Sequence, residues 1–190
     1  FSDLYLLMTG FDLDIPVEYP VVFNHLKQFE EKAKKRDDQG KNWWNLRACV
    51  YYKEFEKEKI AWSDISTEPT FSLLPAGYYF NNTAYMISGK KNLRYLSAVL
   101  NSKLMRWFFP MISTDLGEKG SRFFKQFVEI LVVPEVVEMN EVSIARIEEI
   151  IDQITKAKKE NFSVDTLSLE NKIDQLVYQL YDLTEEEIRI

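Results

Sequence analysis

Apolar and aromatic residues crowd Phe1 through Met8 and predict a strand there, with a turn at Gly10 and a second extended piece around Phe11–Ile15. Pro16 and Pro20 then punctuate the approach to a helix. Val22, Leu26, Phe29 and Ala33 recur at spacings of three and four, which sets one face against a core. Lys27, Glu30, Glu31, Lys34 and Lys35 take the watered side. Pro20 suits the first turn of that helix, where a backbone N–H is not needed. A polar loop, Arg36-Asp37-Asp38-Gln39-Gly40-Lys41-Asn42, leads into the aromatic cluster Trp43-Trp44-Asn45-Leu46-Arg47. Lys59–Trp62, Tyr78–Phe80 and Asn82–Ile87 read as short strands separated by Pro69, Pro75 and Gly77. Leu93–Phe109 reads as one amphipathic helix, with Leu96, Val99, Leu100, Leu104 and Trp107 on a face and Pro110 as its stop. Ser113–Lys125 is a glycine-bracketed polar loop, and Phe127–Val133 reads as a last strand closed by Pro134.

Beyond Pro134 the period changes for good. Ile144, Ile147, Ile151 and Ile154 make one helical stripe; Leu169, Ile173, Leu176, Val177 and Leu180 make another. Thr184 ahead of Glu185, Glu186 and Glu187 is a helix start, a hydroxyl cap followed by acids in the first turn. The pattern predicts an α+β fold: a small mixed or antiparallel sheet with packed helices, followed by a C-terminal α-helical hairpin. The expected division is 1–134 for the first domain and 135–190 for the helical segment.

The chain has 190 residues, 46% hydrophobic and 28% charged, ample for a packed core without disulfides or metal. A single cysteine, Cys49, and a single histidine, His25, exclude a disulfide framework and any site built on several Cys or His ligands. No apolar stretch approaches the roughly 20 residues of a membrane span. The opening at Phe1, within a predicted strand, reads as part of a longer protein. The net charge of −6 conceals segregation. Residues 1–19 hold four acids and no base, residues 20–128 carry +7, and residues 129–190 carry −9. Phosphate binding needs a local basic surface and not a basic total.

Catalytic patterns are missing. There is no Gly-x-Gly-x-x-Gly, no phosphate loop, and no Pro-Pro to build the Asn-Pro-Pro-Tyr loop of adenine methylation. Glu30/Lys32 and Glu170/Lys172 have the Glu-x-Lys spacing of metal-dependent nucleases, but both sit on charged helix faces without a companion Pro-Asp. His25 and Cys49 read as structural. No catalytic or metal-binding residue is expected, and no cofactor in this chain. Two basic, aromatic-flanked segments remain, and they supply the candidate DNA-binding residues Arg36, Lys41, Asn42, Arg47, Lys119, Ser121, Arg122 and Lys125. Arg and Lys neutralise phosphates and read guanine edges, while Asn pairs with adenine. Gly117 and Gly120 let backbone N–H groups approach a phosphate. Trp43, Trp44, Phe123 and Phe124 read as core anchors beneath them.

The string Tyr19-Pro20 … His25-Leu26, then Arg36-x3-Gly40-x2-Trp43-Trp44-x-Leu46-Arg47, resembles the opening of the TaqI-like C-terminal specificity domain. That domain occurs in type IIG restriction–modification enzymes and related adenine-specific DNA methyltransferases. The likeness continues through Lys59-Ile60-x-Trp62, Asn81-Asn82-Thr83-Ala84-Tyr85, Tyr95-Leu96-x3-Leu100-Asn101-Ser102 and Gly117-x2-Gly120-x-Arg122-Phe123. The tail from Leu169 to Thr184 is similar to the helical end of such enzymes. The resemblance implies a target recognition domain gripping double-stranded DNA. It also implies a methyltransferase domain with S-adenosylmethionine, and in some enzymes a nuclease, ahead of Phe1 in a cytoplasmic parent enzyme. The rival expectation is a protein-interaction module acting through the acidic helices.

Overall fold

A computed structural model describes residues 4–68 and 70–189, apart from the side chains of Asp115 and Lys119. The chain forms two compact units, one ending at Lys53 and the other beginning at Glu54.

In the first unit the helix predicted after Pro20 is present but segmented. Helix α1 spans Ile15–Glu18, α2 Pro20–Leu26 and α3 Glu30–Ala33, with the 3₁₀ turn Lys27–Phe29 joining the last two. Pro16 and Pro20 both occupy first turns, as a residue without an N–H should. Of the strand expected at the start, Phe1–Asp3 lie outside the described residues. Leu4–Met8 belong to no ladder, and Phe11–Ile15 is a turn running into α1. A strand exists only through a partner, and none pairs with this segment among the described residues. Leu46 N–H to the Thr9 carbonyl, at 3.1 Å, is an isolated contact.

The second unit is built on β1 (Lys59–Ser63), β2 (Ile65–Ser66), β3 (Ser72–Leu74), β4 (Ala84–Ser88), β5 (Thr114–Asp115) and β6 (Ser121–Arg122). They make two antiparallel three-stranded sheets, ordered β3-β1-β4 and β2-β6-β5. Around them lie α4 (Leu93–Asn101), α5 (Lys103–Ile112), α6 (Lys125–Val128), α7 (Glu141–Glu160), α8 (Leu167–Leu180) and α9 (Glu185–Ile188). The fold is α+β, with α7 and α8 forming the expected helical hairpin.

Three expectations need correction. The single helix over Leu93–Phe109 is two, broken at Ser102 and not at Pro110. Ser102 adopts extended backbone and its hydroxyl caps Met105 N–H, so α5 begins afresh and runs past Pro110 to Ile112. Tyr78–Phe80 is a loop, fastened by Tyr79 stacking on Phe55 at 4.8 Å. Phe127–Val133 is the end of α6 followed by irregular chain, tied down by Tyr95 Oη donating to the Pro134 carbonyl at 2.9 Å.

Helix α4 is the hub. Its Leu93 and Leu100 join Ile60, Trp62, Phe71, Phe109, Phe123 and Val128 in one core beside the sheet. Its Tyr95, Ala98 and Val99 join Met105, Ile144, Ile147, Ile150, Ile173 and Val177 in a second core with the hairpin. Asp174 of α8, almost fully buried, accepts the Lys103 N–H at 2.9 Å and so caps α5 from outside.

Candidate nucleic-acid interface

In the first unit the segment Arg36–Arg47 is an organised loop. Asn45, fully buried, donates from Nδ2 to the carbonyls of Thr9 and Gly10 and accepts the Asn42 N–H at 2.9 Å. Gly40 lies at φ 74°, where a Cβ would overlap the Phe11 ring. Arg36 donates to the carbonyls of Ala33, Trp43 and Asn45, the last two at 2.7 and 2.9 Å. It therefore clamps the loop and leaves only part of its guanidinium for a ligand. Arg47 Nε contacts Asp38 Oδ2 at 2.7 Å on the surface. Lys41 and the Asn42 side chain are exposed and have no protein partner among the described residues. Trp43 and Trp44 are half-buried, packed on Phe23 with centroids 5.7 and 5.2 Å away.

In the second unit the loop Ser113–Lys125 is a small hairpin, with β5 and β6 joined through the 3₁₀ turn Gly117–Lys119. Gly120, at φ 88°, lies where a Cβ would fall 2.1 Å from the Ser66 carbonyl oxygen, so β2 approaches as only glycine permits. Phe123 locks the hairpin's base: it is buried, stacked on Phe109 at 4.1 Å, and its carbonyl accepts the Trp62 Nε1–H at 2.7 Å. Arg122, on central strand β6, holds its guanidinium 4.9 Å from the Phe124 ring centre. It has no carboxylate partner among the described residues. Lys125 is paired with Glu129 at 3.2 Å. Ser121 is half-buried opposite Ser66 and Asp115; the Lys119 side chain lies outside the described residues.

Arg36, Lys41, Asn42 and Arg47 thus share one loop of the first unit, while in the second Lys119, Ser121 and Arg122 share the hairpin and Lys125 opens α6 just beyond it. Two features escaped sequence reasoning. Tyr85, on β4, meets Phe124 edge-on at 6.4 Å and stacks over Trp62 at 5.7 Å, extending the aromatic surface beneath Arg122. Arg36 turned out to bind backbone, a role that residue type alone does not reveal. Among the described residues no group of three or more His, Cys, Asp or Glu could hold a metal, and no helix is long and apolar enough to cross a membrane.

A small antiparallel framework thus presents a cationic, aromatic-backed hairpin. The family model of the TaqI-like C-terminal specificity domain matches residues 11–131, and the chain belongs to that family. It is a DNA target recognition domain of restriction–modification enzymes. Both basic segments fall inside the matched residues; α7 and α8 fall outside them.

Proposed function

We propose that this domain supplies sequence choice to an adenine-specific DNA methyltransferase, cytoplasmic and either with or without an attached nuclease, whose catalytic domain lies elsewhere in the parent protein. S-adenosylmethionine belongs to that domain; the present chain carries no glycine-rich nucleotide loop or Asn-Pro-Pro-Tyr loop to receive it. By this reading residues 1–134 recognise DNA and 135–190 brace them. Residues 129–190 face away from phosphate, because their −9 beside DNA is repulsive.

The observation that carries the reading is Arg122: within the family match, it is mounted over an aromatic ring on a pinned strand, with no carboxylate partner among the described residues. Labour divides between kinds of contact. Lys41, Arg47, Lys119 and Lys125 hold sugar–phosphate and set register, while Arg36 shapes its loop and adds positive potential. Arg122, Ser121 and Asn42 reach base edges, each good bidentate pair contributing about 1–3 kcal/mol of discrimination.

Arg122→Ala is expected to weaken duplex binding by about 1–3 kcal/mol and relax specificity, and Lys41→Ala to weaken it evenly across sequences. Fluorescence anisotropy with labelled duplexes reads both. Unchanged affinity in both variants removes these loops from the interface. A second reading, a partner-binding module, draws on Met139 and Val142, 97% and 83% exposed at the start of α7. It predicts association that is indifferent to DNA.

A further inference from the structure

Between α6 and α7 the chain runs as a strap whose two edges differ. On the inner edge the Tyr181 hydroxyl donates to the Val132 carbonyl, and the Tyr95 hydroxyl donates to the Pro134 carbonyl at 2.9 Å. Leu131 and Val133 pack their side chains against the core shared with α7 and α8. Carbonyls two residues apart that bond to one body are the pattern of extended chain, which Pro134 favours at Val133. Such a chain turns the Val133 N–H and carbonyl to the opposite edge, together with the Leu131 carbonyl and the Glu135 N–H. None of these four groups has a hydrogen-bond partner among the described residues. Ile130 and Val132, which alternate with the packed side chains, are 59% and 74% exposed, and Val136 and Val137 are exposed further along. An open main-chain edge flanked by exposed β-branched side chains is a template for an added strand.

Charge selects what adds. No Lys or Arg stands between Lys125 and Arg146, and Glu135, Glu138 and Glu141 are exposed without an ion pair among the described residues. A second copy of the chain would set these carboxylates against their own kind, which is repulsive. We propose that residues 130–137 dock an extended, lysine- or arginine-bearing segment of a partner protein by strand addition. The partner's main chain lies on the Val133 edge and its cations meet Glu135, Glu138 and Glu141. None of these residues is a candidate DNA contact, so the docking edge stands or falls apart from DNA recognition.

The probe is an acetylated peptide of alternating lysine and valine, titrated into the 190-residue chain while backbone amide signals are followed by NMR. Saturable binding is expected, with hydrogen exchange slowed at the Val133 and Glu135 amides as they acquire acceptors. Glu135→Lys combined with Glu138→Lys weakens the peptide at least about fivefold, while Glu160→Lys combined with Glu186→Lys, an equal charge change on exposed side chains elsewhere, alters it less than about twofold. A peptide methylated at every backbone nitrogen does not bind. No saturable binding, unchanged exchange at Val133 and Glu135, an equal loss in the Glu160 and Glu186 control, or equal binding of a glutamate–valine peptide overturns the proposal. So does self-association of the chain that Val132→Lys dissolves, which identifies a second copy as the occupant. Peptide binding without any duplex binding sinks the DNA-recognition reading and leaves the docking edge. Duplex binding sensitive to Arg122 with a silent strap does the reverse.

Discussion

Lys59 has no solvent exposure, and its amine donates to the Pro75 carbonyl at 3.0 Å. Burial lowers its pKa, with Glu56 opposing. The folded chain therefore binds this proton less readily than the unfolded chain, and the resulting destabilisation fades as pH rises toward the ordinary lysine value. Lys59→Met keeps the volume and removes the titration. Urea denaturation from pH 7 to 9.5 should show the parent gaining stability relative to the variant as pH rises; a constant gap contradicts the assignment. Tyr95, pushed up to about 12 by burial, acts in both proteins: its contribution is intact below pH 10 and lost above it, so it cancels in the comparison. The sequence placed Lys59 correctly in a strand yet said nothing of its burial, because lysines ordinarily reach water at the tip. Arg36 and Asn45 were legible as site candidate and cluster member, but their service to backbone carbonyls depends on where the chain returns.

At the level of elements, the hairpin β5–β6 depends on Gly120. Gly120→Ala sets a Cβ against the Ser66 carbonyl at an unfavourable φ, and it should cost on the order of 2–3 kcal/mol in urea denaturation. Duplex affinity should fall with it, because Arg122 sits two residues on; full affinity and stability would show that β2 yields freely. Asp174→Ala removes the outside cap of α5 and should cost about 1–3 kcal/mol without touching DNA affinity. Helices and the strands β1 and β4 were readable because their period repeats over several residues. The break at Ser102 was not, since a serine inside an apolar run becomes a cap only when the chain turns there. Leu4–Met8 and Phe127–Val133 misled for a related reason: strand-like composition becomes a strand only with a neighbour to pair with.

For the whole molecule, charge segregation along the sequence was the signal that pointed to nucleic acid, and the family match supports the same direction. The hairpin's stripes were equally plain, but its place against α4 could not be, because apolar stripes carry no address. Which cations are free also depends on folding: among the described residues Arg94 and Arg106 are ion-paired and Arg122 has no carboxylate partner. The central claim is that such free cations neutralise phosphates of a double helix. Titrating duplex affinity against salt measures this directly. If Z phosphates are engaged, log affinity falls against log salt with a slope near −0.9Z, and Lys41→Ala should reduce that slope by about 0.9. Affinity that does not respond to salt, or no binding at low ionic strength, contradicts the account.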